Sequence, residues 1–235
     1  MTTRINLWST PRNISTAIMY AFAQRPDTRV VDEPLYAHYL SHAPDVPDHP
    51  GTEAILASQA TDGQLVVQEV LHGAYDRPVV VFKQMTHHLI ELPFDFLKTM
   101  KNVLLIRDPR RIIASFAKVI PDPQMRDIGV QLQWELAQYI DRHEALHAVI
   151  DTRELLQAPR QVLQILCRQL DIPFFESMLS WEAGARPEDG VWAPYWYANV
   201  HRSTGFQAYE EKPVQLSPKL EGLAASCQPF YQELL

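Results

Sequence analysis

Five short runs of aliphatic residues alternate along this chain with segments of helical periodicity, and that alternation leaves few ways to close a core. The runs predict strands at Ile5–Trp8, Arg29–Val31, Val79–Phe82, Val103–Ile106 and Ala148–Ile150. Helices are expected at Ser15–Ala23, Pro93–Met100, Pro109–Val119, Pro123–His147 and Pro159–Leu170. Several of these open on proline, whose fixed φ and missing N–H suit a first helical turn. The helix from Pro123 is the longest, with Leu132, Leu136, Tyr139 and Ile140 on one apolar face. Strand, crossover helix and strand in succession give the α/β class with a central parallel sheet. The 235 residues suit one domain, 1–235, closed by an irregular aromatic segment, 182–235, packing on or over the sheet's carboxyl edge.

A net charge of −7 argues against a nucleic-acid partner, because no basic surplus exists to displace counterions from a phosphate backbone. A small anionic ligand is still allowed, since a few local arginines outweigh a distant acidic surface. Cys167 and Cys227 stand far apart in no ligand spacing and read as reduced thiols. The start lacks the apolar run of a signal peptide and no later segment approaches a membrane span, so a cytoplasmic address is expected. The proline-rich stretch from His42 to Gly51 is expected to form a surface loop or lid.

Two constellations carry chemistry. The first is "LWSTPRNISTAIMYAF", where a strand runs through a tight polar turn into a helix. The free amides of a first helical turn and the helix dipole favour an anion there, with Arg12, Ser15 and Thr16 adding a charge and two hydroxyls. The plainer alternative is that Ser15 or Asn13 caps the helix and Arg12 is solvated. The second is "VLLIRDPRRIIAS", in which a buried strand delivers Arg107 at its end and Ser115 follows two turns into the next helix. The alternative is that Arg107 pairs with Asp108.

Taken together, the two motifs resemble those of the sulfotransferase superfamily. In that family an (R/K)-S-G-(S/T)-(S/T) loop binds the 5′-phosphosulfate of the donor, and Arg12-Asn13-Ile14-Ser15-Thr16 is similar to it. An Arg-(D/N)-Pro strand end with Ser eight residues on binds the 3′-phosphate, and Arg107, Asp108, Pro109 and Ser115 match that spacing. "HRSTGF", with Arg202, Ser203, Thr204 and Gly205, resembles the loop that closes over the 3′-phosphate. The resemblance implies a three-layer α/β/α, P-loop nucleoside-triphosphate-hydrolase-like fold. It also implies transfer of a sulfuryl group from 3′-phosphoadenosine-5′-phosphosulfate to a hydroxyl of a small metabolite, lipid or sugar, without a metal. One position departs from the pattern: Ile14 stands where the family has glycine, and a β-branched residue tolerates φ > 0 poorly. Asn13 is the expected substitute for the turn.

Sulfuryl transfer needs cationic stabilisation of the leaving phosphate, for which the resemblance offers Arg12, and a base for the acceptor proton. Glu33, in "RVVDEPLY", and His87 or His88, in "FKQMTHHL", compete for the second role, with Lys83 placed to hold the sulfate. Each has an alternative: Glu33 in a salt bridge, one histidine structural, Lys83 at the surface. Trp192, Tyr195, Trp196, Tyr197 and Phe206 wall a ligand site or pack a lobe onto the core. Two other readings stay open. One is a protein of the same fold that binds adenosine 3′,5′-bisphosphate without transfer. The other is a P-loop hydrolase or kinase, in which "VVDE" would hold magnesium, although no G-x-x-x-x-G-K-[ST] exists. Acceptor identity and oligomeric state have no readable code in the sequence.

Overall fold

The computed structural model describes residues 2–44, 49–120 and 122–235. Five strands form one parallel sheet in the order β2-β3-β1-β4-β5. They are β1 (Thr3–Ser9), β2 (Thr28–Asp32), β3 (Val79–Met85), β4 (Lys101–Ile106) and β5 (Leu146–Asp151), and each contains its predicted run. The central strands β1, β3 and β4 are apolar on both faces, as a sheet covered on two sides requires.

Alternation along those strands sorts the core into two layers. Ile5, Leu7, Val79, Val81, Val103 and Leu105 pack with Ile18, Phe22, Leu163 and Leu166 from the helices Ser15–Ala23 and Pro159–Gln169. Trp8, Val80, Phe82, Leu104 and Ile106 face the opposite way, onto Leu97, Leu136 and Ile140. The result is the expected three-layer α/β/α arrangement. One buried polar knot interrupts it. Asn102 Oδ1 accepts from Asn6 (3.1 Å) and Trp8 (3.0 Å), while its amide reaches the carbonyls of Leu97, Met100 and Ala145. This pays the polar cost of the irregular β4–β5 register beside it.

Four expectations are corrected. The helix predicted over Pro123–His147 is two, Met125–Ile128 and Val130–Arg142, split at Gly129, which has φ 73°. It ends at Arg142 because Glu144 turns the chain at φ 55°, which puts His147 on β5. Leu132 is exposed, and the buried face carries Leu136 and Ile140 with Gln133. Pro93–Met100 is a 3₁₀ helix over Phe94–Thr99, and the helix after Arg107 stops at Phe116. The segment 182–235 is not irregular throughout, for it ends in a helix over Pro218–Leu234. That helix packs Ala224 and Cys227 against Ile112, Ile113, Phe116, Ile128 and Val130. Both cysteines are buried and unbridged. Of the proline-rich stretch, residues 45–48 lie outside the described residues. No helix among the described residues is long and apolar enough to cross a membrane.

Candidate active site

The carboxyl ends of β1, β2, β3 and β4 open on one cavity of about 370 Å³, the place where open α/β sheets gather ligand groups. Its two ends differ in chemistry.

At one end β1 stops at Ser9 and the chain turns through Pro11-Arg12-Asn13-Ile14 into the Ser15–Ala23 helix. The left-handed residue of the turn is Arg12, with φ 56°, and not Ile14, which has φ −87°, nor Asn13. The isoleucine in place of glycine therefore costs the backbone nothing. Two side chains hold the turn. Asn13 donates to the Leu105 carbonyl (2.9 Å), and its Oδ1 accepts from the Ile14 amide (3.0 Å) and the Thr152 hydroxyl. Arg107 donates to the carbonyl of Arg12. The helix begins without a side-chain cap, and among the described residues no group accepts from the amides of Ser15, Thr16 or Ala17.

Arg12 and Arg107 meet at this end. Arg12 Nε donates to Ser115 Oγ (3.1 Å), and its guanidinium lies 6.0 Å from the Trp196 ring centre. Arg107 Nε is buried with no partner. Among the described residues neither guanidinium makes an ion pair, and Asp108 instead caps its own helix through the Arg110 amide (2.8 Å). Burial lowers both arginines below their ordinary range, and Arg107 is lowered further by the like charges of Arg111 and Arg12. Two crowded, partly desolvated cations without a carboxylate among the described residues have the chemistry to receive an anion.

At the other end the charges are closed among themselves. Lys83, wholly buried near the end of β3, donates to Asp32 Oδ1 (2.9 Å), to Glu33 Oε1 and to the Tyr197 hydroxyl (2.8 Å). Tyr197 donates on to Asp32 (2.8 Å) and accepts from Trp192 Nε1 (3.0 Å). Asp32 also receives the Gly190 amide (3.1 Å). Glu33 sits at φ 35°, held there by its amide on the Lys83 carbonyl and by Tyr36 and Gln59 on its own. Burial raises the Glu33 carboxyl above the usual range, against the opposing pull of Lys83. Burial alone would lower Lys83, but Asp32 and Glu33 outweigh it and the ammonium ends above its ordinary value.

Beside this cluster His88 stacks on Tyr36 and Tyr39, each 4.8 Å between ring centres, and His87 meets Tyr39 edge-on at 4.9 Å. Neither imidazole is suited to take a proton near neutral pH. Burial pushes His87 down to about 3, and burial together with His87, His49 and Lys83 pushes His88 well below its usual value.

Of the sequence-derived candidates, the cavity gathers Arg12, Asn13, Ile14, Ser15, Thr16, Glu33, Lys83, His87, His88, Arg107, Ser115, Ser203 and Gly205. Arg202 and Thr204 are exposed and do not line it. Arg202 binds Asn199 (2.7 Å), and the Thr204 carbonyl takes the Trp181 amide (3.1 Å). The Ser203 hydroxyl is engaged by Trp181 and Val200. Of the aromatic cluster, Trp192, Trp196, Tyr197 and Phe206 reach the cavity, whereas Tyr195 points to solvent. The sequence reading passed over Asp32 as a partner of Lys83, Tyr36 and Tyr39 as the wall, and Thr152 as the brace of the turn. Only "LYAHY", with aromatics three apart after the acidic pair, hinted at any of them.

Comparison with known proteins adds a family and a fold. A family model described as a sulfotransferase domain matches residues 3–235. Two proteins of Arabidopsis thaliana, called branched-chain-amino-acid aminotransferase-like proteins 1 and 2, are 41% and 37% identical over 231 residues. The match takes in 98% of this chain and 41% of each of them, so the chain spans about two-fifths of their length. Among solved structures, a sulfotransferase from Alicyclobacillus acidocaldarius has a TM-score of 0.57 at 13% identity, over 100% of this chain and 94% of its own. A sulfotransferase domain from the curacin biosynthetic pathway has 0.54 at 17%, over 97% and 98%. A mouse sulfotransferase complexed with PAP has 0.54 at 9%, over 99% and 82%. At these identities the structural likeness is one of fold.

Proposed function

This chain belongs to the sulfotransferase domain family, and on that premise we propose that it moves a sulfuryl group from 3′-phosphoadenosine-5′-phosphosulfate to a hydroxyl of a small metabolite, lipid or sugar. The observation that carries the reading is the pair Arg12 and Arg107, half-buried and without an ion pair among the described residues, at the mouth of an uncapped helix. Arg12 and the amides of Ser15, Thr16 and Ala17 suit the phosphosulfate. Arg107, whose Nε is buried and unpartnered, and Ser115 suit the 3′-phosphate. That a mouse sulfotransferase of the same fold was solved with PAP, the nucleotide such a transfer leaves behind, supports this assignment.

The acceptor then occupies the aromatic end, among Tyr36, Tyr39, Trp192 and Trp196. Its oxygen attacks sulfur in line, the S–O bond to the phosphate breaks, and the leaving phosphate keeps the electron pair beside Arg12. Glu33 takes the hydroxyl proton. His87 and His88 are too strongly held neutral to compete, and they shape the pocket. Ile14 forms part of the cavity wall at a backbone angle that any residue adopts, which removes the main objection to an active loop.

The test is transfer of label from ³⁵S-phosphosulfate across a panel of hydroxyl acceptors, with Arg12→Ala as control. A labelled product lost in the variant is the expected result. Tight binding of the bisphosphate with neither transfer nor hydrolysis would leave a non-catalytic nucleotide-binding protein instead.

A further inference from the structure

Two carboxylates, Asp32 and Glu33, lie at the end of β2 and share one ammonium, that of Lys83. The side chains involved are nearly inaccessible, 1% for Lys83, 2% for Asp32 and 8% for Glu33. Counted as ions, the cluster carries one positive charge and two negative ones, and so lacks one proton for neutrality. A low-dielectric setting makes such a surplus costly and gives the cluster an affinity for that proton.

The hydrogen bonds say which carboxylate takes it. Asp32 is the better supplied, receiving Lys83 (2.9 Å), the Tyr197 hydroxyl (2.8 Å) and the Gly190 amide (3.1 Å). Glu33 receives Lys83 on Oε1, with Tyr197 at the limit of 3.5 Å. Its Oε2 has no partner among the described residues, and the residue lines the cavity. The other titratable groups facing Glu33 are Tyr36 from the helix that follows it and Tyr197 from the carboxyl-terminal segment, both neutral because burial raises their hydroxyls. The neutral ring of His88 lies within reach of the Lys83 charge.

We propose that Asp32 is a positioning residue which, by sharing Lys83, leaves Glu33 one proton short and thereby makes it the site's proton acceptor. This rests on the reading of Glu33 as base. In the forward step the acceptor O–H gives its proton to Glu33 Oε2 as the new O–S bond forms and the S–O bond to the donor phosphate breaks. The cluster then holds Lys83 as ammonium, Asp32 as carboxylate and Glu33 as acid, a neutral set, until the proton passes to solvent. Tyr197 ties the device to the carboxyl-terminal segment, so that segment must be docked for the base to be set.

The test reads the Glu33 carboxyl directly and needs no acceptor. Protein carrying ¹³C-carboxyl glutamate is titrated by NMR, with Glu33→Gln identifying the signal and melting curves confirming that each variant folds. In the wild type Glu33 titrates above the ordinary glutamate range. Asp32→Asn leaves Lys83 and Glu33 as a balanced pair and lowers the midpoint by about one pH unit or more, a tenfold loss of proton affinity. Lys83→Met moves it the other way. A wild-type midpoint in the ordinary range overturns the proposal by itself, and so does an Asp32→Asn midpoint that stays or rises. Full transfer activity in Glu33→Gln would remove Glu33 as base while leaving the measured coupling intact. The two failures are thus distinguishable.

Discussion

The two ends of the cavity hold cations in opposite ways. Arg12 and Arg107 are half-buried and have no carboxylate among the described residues, whereas Lys83 is fully buried and has two. Burial without a partner costs free energy that folding must make up elsewhere, so an unpaired pair of cations is kept for something that arrives. A paired cation is satisfied before any ligand comes, and its work is to set the groups around it. On the function proposed, the lysine positions the groups around it and the arginines bind.

That division can be broken by substitution. Lys83→Met leaves Asp32 and Glu33 facing each other without compensation, and removing one partner of a buried pair costs about 3–5 kcal/mol. For a chain of this size the melting temperature falls by roughly 2–4 °C per kcal/mol, a loss that calorimetry reads directly. Arg107→Ala is expected to cost far less. It removes a cation that has no carboxylate among the described residues, together with one hydrogen bond to the Arg12 carbonyl, so the melting temperature falls by only the worth of that bond, about 1 kcal/mol. Affinity for adenosine 3′,5′-bisphosphate falls by about 10–100-fold, the worth of a hydrogen bond to a charged group. A large loss of stability in Arg107→Ala, or none in Lys83→Met, would erase the distinction.

A pH series sharpens it. The Glu33 carboxyl is raised in the folded protein, so its contribution is fully present below the unfolded value and is lost as pH rises through the raised folded one. Wild type compared with Glu33→Gln should thus lose relative stability as pH climbs from about 4 towards neutrality. A flat difference, measured by denaturant melts at each pH, would place Glu33 outside the buried cluster. The smallest effect is expected at Glu211, an exposed residue that pairs with Arg111 (3.0 Å) and approaches Arg153 (3.9 Å). Glu211→Gln should leave the melting temperature unchanged at about 0.15 M salt, because screening removes most of such a pair.

Much of the scaffold was legible because buried parallel strands leave continuous apolar runs, as in "VVVF" and "VLLI". Chain turns made by non-glycine residues were not. Arg12, Glu33 and Glu144 adopt positive φ with no glycine to mark it, so the pattern alone does not end the long helix at Arg142 or single out Arg12 in the first turn. Gly129, where that helix is split, is a glycine visible in the sequence. The meeting of Arg12 and Arg107 was readable since these residues sit in two local motifs. The carboxylate end was not, because Lys83 meets Asp32 from 51 positions away and Tyr197 from 114, and no local pattern records such partnerships.

The central claim is that the first turn and the end of β4 together hold a nucleotide carrying phosphates at both 3′ and 5′ positions. Isothermal titration of metal-free protein with adenosine 3′,5′-bisphosphate, ADP and magnesium-ATP tests it most directly. The account predicts that the bisphosphate binds at least about tenfold more tightly than ADP, and that Arg107→Ala abolishes the preference. Equal affinities, or a preference for magnesium-ATP, would contradict it.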